Sequence, residues 1–81
     1  MKVDVLFFAS VREIVGCRKI EMEIPEGTSV EDLRHRLVAV YPALSRMHRS
    51  VAWAVNAEYV DESQLLRPGD EIALIPPVSG G

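Results

Sequence analysis

The chain opens with a run rich in β-branched and aromatic residues, KVDVLFFA over residues 2–9, which predicts a strand. Val3, Val5 and Phe7 would share one face, and Asp4, Leu6 and Phe8 the other. The acid on the second set assigns the first set to the core and leaves Leu6 and Phe8 on a wet face. Residues 10–16, SVREIVG, predict a short helical turn, capped by Ser10 with Glu13 three residues on and closed by Gly16. Residues 18–24, RKIEMEI, alternate cleanly: Ile20, Met22 and Ile24 inward, Lys19, Glu21 and Glu23 outward. This second strand pairs with the first in a hairpin-like arrangement. Pro25-Glu26-Gly27 breaks the pattern, and the period then changes. Thr28 with Glu31 predicts a capping box, and Val30, Leu33, Leu37 and Val40 form one helical stripe. Arg34, His35 and Arg36 fall off that stripe and read as a solvated helix face. Tyr41-Pro42 ends the helix, because proline disfavours helical geometry in the residue before it.

Residues 43–50 predict a connector. Residues 51–56, VAWAVN, predict a third strand with Val51, Trp53 and Val55 on one face. Asn56-Ala57-Glu58 turns the chain into a short strand at Tyr59-Val60. Leu65 and Leu66 are expected to plug the core from a short turn. Arg67-Pro68-Gly69-Asp70 has Pro and Gly placed for a type II turn. The last strand, residues 71–76, points Ile72 and Leu74 in and Ala73 and Ile75 out. The order is β-β-α-β-β-β, an α+β class in which a mixed sheet of four to five strands packs on one main helix. The first and last strands are expected to lie centrally and parallel. The expected core comprises Val3, Val5, Phe7, Ile20, Leu33, Leu37, Val55, Ile72 and Leu74. The division is a domain over residues 1–76 and a flexible C-terminal tail over 77–81, aimed outward from the end of a central strand.

Composition narrows the function. Eighty-one residues make one domain with a small core and no room for a deep private active site, so the domain is expected to work with a partner. A net charge of −3 without a Lys/Arg cluster argues against nucleic acid and against polyanionic membrane surfaces. The apolar run from Val5 to Ala9 is too short for a signal segment or a membrane span, and the expected location is cytoplasmic. Cys17 is the only cysteine, so no intramolecular disulfide and no cysteine metal site is expected. A persulfide on Cys17, beside Arg18 and Lys19, is the sharper reading of that thiol; an incidental turn cysteine is the favoured one. His35 and His48 lack a matching ligand set, and no metal is expected. Glu58, Asp61 and Glu62 form a small acidic group that solubility suffices to explain. Phe8, Tyr59 and Ile75 are apolar on the expected outer face, where scattered surface hydrophobes are ordinary but a cluster makes a docking patch.

The strongest chemical signal is the ending, Pro76-Pro77-Val78-Ser79-Gly80-Gly81. Two residues without Cβ leave the α-carboxyl unhindered and let the tail thread a narrow slot, while the prolines stiffen its base. Such an end suits an enzyme that activates the chain terminus itself as a substrate. Taken alone, it suits a frayed terminus as well.

The segments VLFFASVREIVG, AVNAEYV and LRPGDEIALIPPVSGG together resemble the small subunit of molybdopterin synthase, the MoaD-type sulfur-carrier family. The likeness runs nearly the full length and is weakest over residues 41–50. It implies a ubiquitin-like β-grasp fold. It also implies that Gly81 is adenylated at the expense of ATP by a MoeB-type activating enzyme and becomes a C-terminal thiocarboxylate (1-thioglycine). Val78, Ser79 and Gly80 then thread a pocket of the MoaE-type large subunit, where sulfur passes to cyclic pyranopterin monophosphate. The expected assembly is a heterotetramer in which this chain has no active site of its own and permanently binds no cofactor. The family places an apolar partner-contact surface at the positions of Phe8, Tyr59 and Ile75. Three alternatives stay open: a thiazole-forming or cysteine-biosynthesis sulfur carrier, a ubiquitin-like modifier joined to lysines, and an interaction domain indifferent to Gly81.

Overall fold

The structure is a computed structural model that describes residues 1–46 and 51–77. Five strands form one sheet: β1 (Lys2–Phe7), β2 (Lys19–Glu23), β3 (Ala52–Val55), β4 (Glu58–Val60) and β5 (Glu71–Ile75). Their spatial order is β2-β1-β5-β3-β4. The first and last strands are central and parallel, with Val5 opposite Ile72 and Phe7 opposite Leu74. Every other pairing is antiparallel. A parallel neighbour requires a long crossover, and here the intervening chain supplies helix α2 (Val30–Val40), which lies across one face. A short helix α1 (Ala9–Val15) links β1 to β2, and a 3-10 helix follows α2 over Pro42–Arg46.

Period two on the strands and the helical stripe on α2 meet in one core. Val3, Val5, Phe7, Leu33, Leu37, Val55, Ile72 and Leu74 are all buried, as expected. Ile20 differs. On edge strand β2 it has a neighbour on one side alone, and it is half-buried against the core. Val11, Ile24, Val30, Leu44, Trp53 and Leu66 complete the interior. Phe7 packs edge-on against Tyr41, with ring centroids 6.1 Å apart.

Four expectations shift. Helix α2 is capped one residue later than expected, by Ser29 and Asp32. The Ser29 hydroxyl accepts from Asp32 N–H at 3.1 Å, and the Asp32 carboxylate accepts from Ser29 N–H at 3.2 Å. Thr28 is buried and its hydroxyl is already committed, donating to the Pro25 carbonyl at 2.6 Å. The Glu62 and Gln64 carbonyls accept from Glu31 and Val30 N–H, each at 2.9 Å. The first helical donors are thereby satisfied by a distant loop as well as by the cap. Val40, 59 % exposed, leaves the apolar stripe because the chain turns at Tyr41. Leu66 plugs the core, but Leu65 is 60 % exposed, since adjacent residues in an extended segment face opposite ways. Ser10 does not cap α1; the cap position is Phe8, without a side-chain bond, while Gly16 closes the helix at φ 91° as expected.

The polar assignments also sharpen. Arg34 is not a solvated residue: its Nε donates to Glu62 at 2.6 Å, and its side chain is 17 % exposed. Glu62 therefore ties the β4–β5 loop to α2. Asp61 accepts from the Ser63 hydroxyl and backbone N–H. Those bonds hold its carboxyl below the usual carboxylate range.

Candidate functional site

The side of the sheet turned away from α2 carries the candidate site. Its make-up follows from strand register. Leu6 stands opposite Lys19 on one side and Ala73 on the other. Ala73 faces Ala54, and Ala54 faces Tyr59. One row thus crosses all five strands as Lys19, Leu6, Ala73, Ala54, Tyr59. One step nearer the chain's exit, Ala52 stands opposite Ile75. Phe8 lies one residue beyond the Phe7–Leu74 pair, on the Ile75 side. One step the other way the row turns acidic: Glu21, Asp4 and Glu71 align across β2, β1 and β5. Asn56 continues it, its side chain bonded to Asp70 and to Glu71 N–H. The face is therefore apolar at the end from which the chain leaves β5 and acidic at the other. Lys19 reaches between the rows, 3.5 Å from Asp4.

The expected site residues divide accordingly. Phe8 is 45 % exposed and Tyr59 74 % exposed. Ile75 is half-buried between them. All three lie on the outer side, but they do not form one tight cluster. Phe8 and Ile75 sit at adjacent strands. Tyr59 is three strands from Phe8, roughly 14 Å at ordinary strand spacing. Ala52, Ala54 and Ala73 floor the interval. These alanines, and Leu6 beside them, complete the face. Ala52 and Ala54 were legible in principle, since both alternate with the inward Trp53.

Two backbone devices shape the rim. The β3–β4 turn has Asn56 at φ 51° and Ala57 at φ 70°, between the paired residues Val55 and Glu58. This is the two-residue turn whose twist matches a hairpin, and it projects Tyr59 from β4. After Phe8, Ala9 adopts φ 46°. That region costs a residue with a Cβ about 1–2 kcal/mol. The far turn takes its type II form through Gly69 at φ 82°, with Asp70 N–H donating to the Arg67 carbonyl at 3.1 Å.

From β5 the chain continues into Pro76, buried, and Pro77, exposed. Val78, Ser79, Gly80, Gly81 and His48 lie outside the described residues. Cys17 is half-buried against the core in the loop before β2. Among the described residues no group of three His, Cys, Asp or Glu side chains could hold a metal ion. None of their helices is long and apolar enough to cross a membrane.

A mixed five-stranded sheet wrapped on one long helix, with the opposite face bare and the chain leaving from a central strand, defines a ubiquitin-like β-grasp domain. The chain belongs to the ThiS family, whose profile matches residues 5–81. It is 40% identical over 83 residues to the molybdopterin synthase sulfur carrier subunit of Chlamydomonas reinhardtii, covering all of both chains. Among solved structures it resembles SAMP1 from Haloferax volcanii, with a TM-score of 0.89 at 30% identity over the whole of both chains. It also resembles, with a TM-score of 0.73 at 27% identity and full coverage of both, a chain in the complex of subunits 1 and 2 of the Helicobacter pylori molybdopterin-converting factor.

Proposed function

We propose that this chain is the sulfur carrier subunit of a molybdopterin synthase. The observation that supports it most is the end-to-end match to the Chlamydomonas reinhardtii carrier, together with a family match that runs through Gly81. In this reading the Gly81 carboxylate is the reacting group. A carboxylate is a poor electrophile. Its oxygen must first attack the α-phosphorus of ATP on a MoeB-type enzyme, releasing pyrophosphate and making AMP the leaving group. A sulfur nucleophile then displaces AMP to leave the thiocarboxylate. Within a MoaE-type large subunit that sulfur is delivered to cyclic pyranopterin monophosphate. The chain supplies no general acid or base; orientation and charge come from the partner's pocket.

The outer face makes this division of labour physically sensible. Its apolar end adjoins the strand that leads to Gly81, so a partner that buries Phe8, Ile75 and Tyr59 also aims the tail. Val78, Ser79 and Gly80 are the threading segment, and the compartment is cytoplasmic. Incubating the chain with the activating enzyme, ATP and a sulfur donor should raise its intact mass by the difference between sulfur and oxygen. A second reading, a protein modifier, is favoured by the likeness to SAMP1. The fate of Gly81 separates the two: thiocarboxylate consumed by a pterin, or an amide to a lysine. Absence of any ATP-dependent mass change would remove both.

A further inference from the structure

We propose that Ala9 is a positioning residue whose left-handed backbone holds Phe8 on the outer side of the sheet, ready for the partner. The inference rests on the docking reading of that face. Among the described residues, the non-glycine positions in the left-handed region are Ala9, Asn56 and Ala57. The hairpin accounts for the last two. Ala9 belongs to no hairpin and directly follows Phe8.

The neighbouring bonds show what the conformation does. Phe7 is anchored inward, 2 % exposed, with its N–H donating to the Arg18 carbonyl at 2.8 Å. Phe8 is extended, at φ −116° and ψ 151°. In a continuing strand its carbonyl would point into the ladder. Instead it accepts from Val11 N–H at 3.0 Å and Arg12 N–H at 3.3 Å. These bonds need the chain to reverse within one residue, and Ala9 makes the reversal. Val11 then enters the core fully buried, three positions after an aromatic that stays 45 % exposed. Phe8 is pinned between two buried anchors and cannot follow either inward. Ala9 is itself exposed, so its contribution comes from its backbone and not from a packed side chain. Alanine bears the strain, but it also permits fewer alternative conformations than glycine, which favours a pre-set Phe8.

The test uses the full chain labelled with para-fluorophenylalanine. Phe7 and Phe8 are the only phenylalanines, so two fluorine signals result. A soluble gadolinium chelate should broaden one and spare the other, and Phe8→Ala should remove the broadened one. Ala9→Gly and Ala9→Asn, which accept positive φ, should keep the pattern and bind the large synthase subunit within about threefold of the parent chain. Ala9→Val, whose branched side chain opposes that region, should erase the contrast between the signals and weaken binding by about tenfold or more. In a Phe8→Ala background the same Ala9→Val change should alter affinity by no more than about twofold, because its effect passes through Phe8. If Ala9→Val does not fold, the same cycle with Ala9→Thr, which is also branched at Cβ, decides. An unchanged fluorine pattern in the Val or Thr variant, or a loss of affinity that repeats in full without Phe8, overturns the inference. A Phe8→Ala chain that binds as tightly as the parent removes the docking reading instead, and the fluorine contrast still reports whether Ala9 sets the pose of Phe8.

Discussion

The two faces of the sheet are built from the same strands by the same alternation, yet they answer to different constraints. On the inner face Val3, Val5, Phe7, Ile72 and Leu74 are at most 3 % exposed, each closed over by α2 or its flanks. On the outer face Leu6, Ala73, Ala54 and Tyr59 occupy the intervening positions: Tyr59 is 74 % exposed, Leu6 and Ala73 are half-buried, and the small Ala54 between them is buried. The inner set must fill a volume. The outer set has only to stay flat, apolar at one end and acidic at the other. Substitutions should therefore separate cleanly into those that unfold the chain and those that leave it folded but unable to dock.

The largest effect is expected inside. Leu37, 1 % exposed, packs into the core from the last turn of α2, and Leu37→Ala should cost about 2–5 kcal/mol of stability. Denaturant unfolding measures this directly, and a loss well under 1 kcal/mol would mean that the helix does not close the core. The outer counterpart is Phe8→Ala. It should weaken binding to the large subunit by about 1–4 kcal/mol while barely moving the unfolding midpoint of the free chain. Paired calorimetry reads both, and lost stability with unchanged binding would place Phe8 on the wrong side of the contrast.

Two smaller effects sharpen it at the edges. Ala57→Gly relieves a left-handed residue at the rim without touching either face, so stability should rise by about 1 kcal/mol. A fall in the unfolding temperature would instead show that Ala57 carries little strain. The smallest effect concerns the cap of α2. Backbone and hydroxyl hydrogen bonds from Ser29 hold the Asp32 carboxyl below its usual range. A carboxyl depressed in the folded state stabilises at pH values above its unfolded pKa and loses that contribution as pH falls through the folded value. Between about pH 5 and pH 2 the parent chain should therefore lose slightly more stability than Asp32→Asn. Parallel acid titrations of the two chains would show no divergence if the box contributes nothing.

The same contrast governs what could be read from the amino-acid order. The inner face was legible because burial imposes a period: the core residues of β1 and β5, the α2 stripe as far as Leu37, and the central parallel pair all follow from it. Positions decided by tertiary competition were not legible. Ser29 rather than Thr28 caps α2 because the Thr28 hydroxyl is taken up by Pro25 and the chain around it is clamped by residues 61–66. Arg34 and Glu62 are 28 positions apart and meet only once the β4–β5 loop folds over the helix. On the outer face Phe8, Tyr59 and Ile75 stood out as large apolar residues on a wet side. The alternation also put the alanines between them on that side, but it did not mark them as part of a site, because a small residue there serves by leaving space. The strain at Ala9 was equally hidden, since no side-chain pattern announces a backbone sign change.

The central claim is that the body of the domain docks while Gly81 alone carries the sulfur. It is tested most directly by deleting Gly81 and following docking and transfer together. Both chains would be treated with activating enzyme, ATP and sulfur donor, then mixed with the large subunit and the pterin precursor. The shortened chain should unfold at the same temperature, bind the large subunit within about tenfold of the parent because the outer face is untouched, and form no molybdopterin. Molybdopterin formed by the chain that lacks Gly81 would contradict the account.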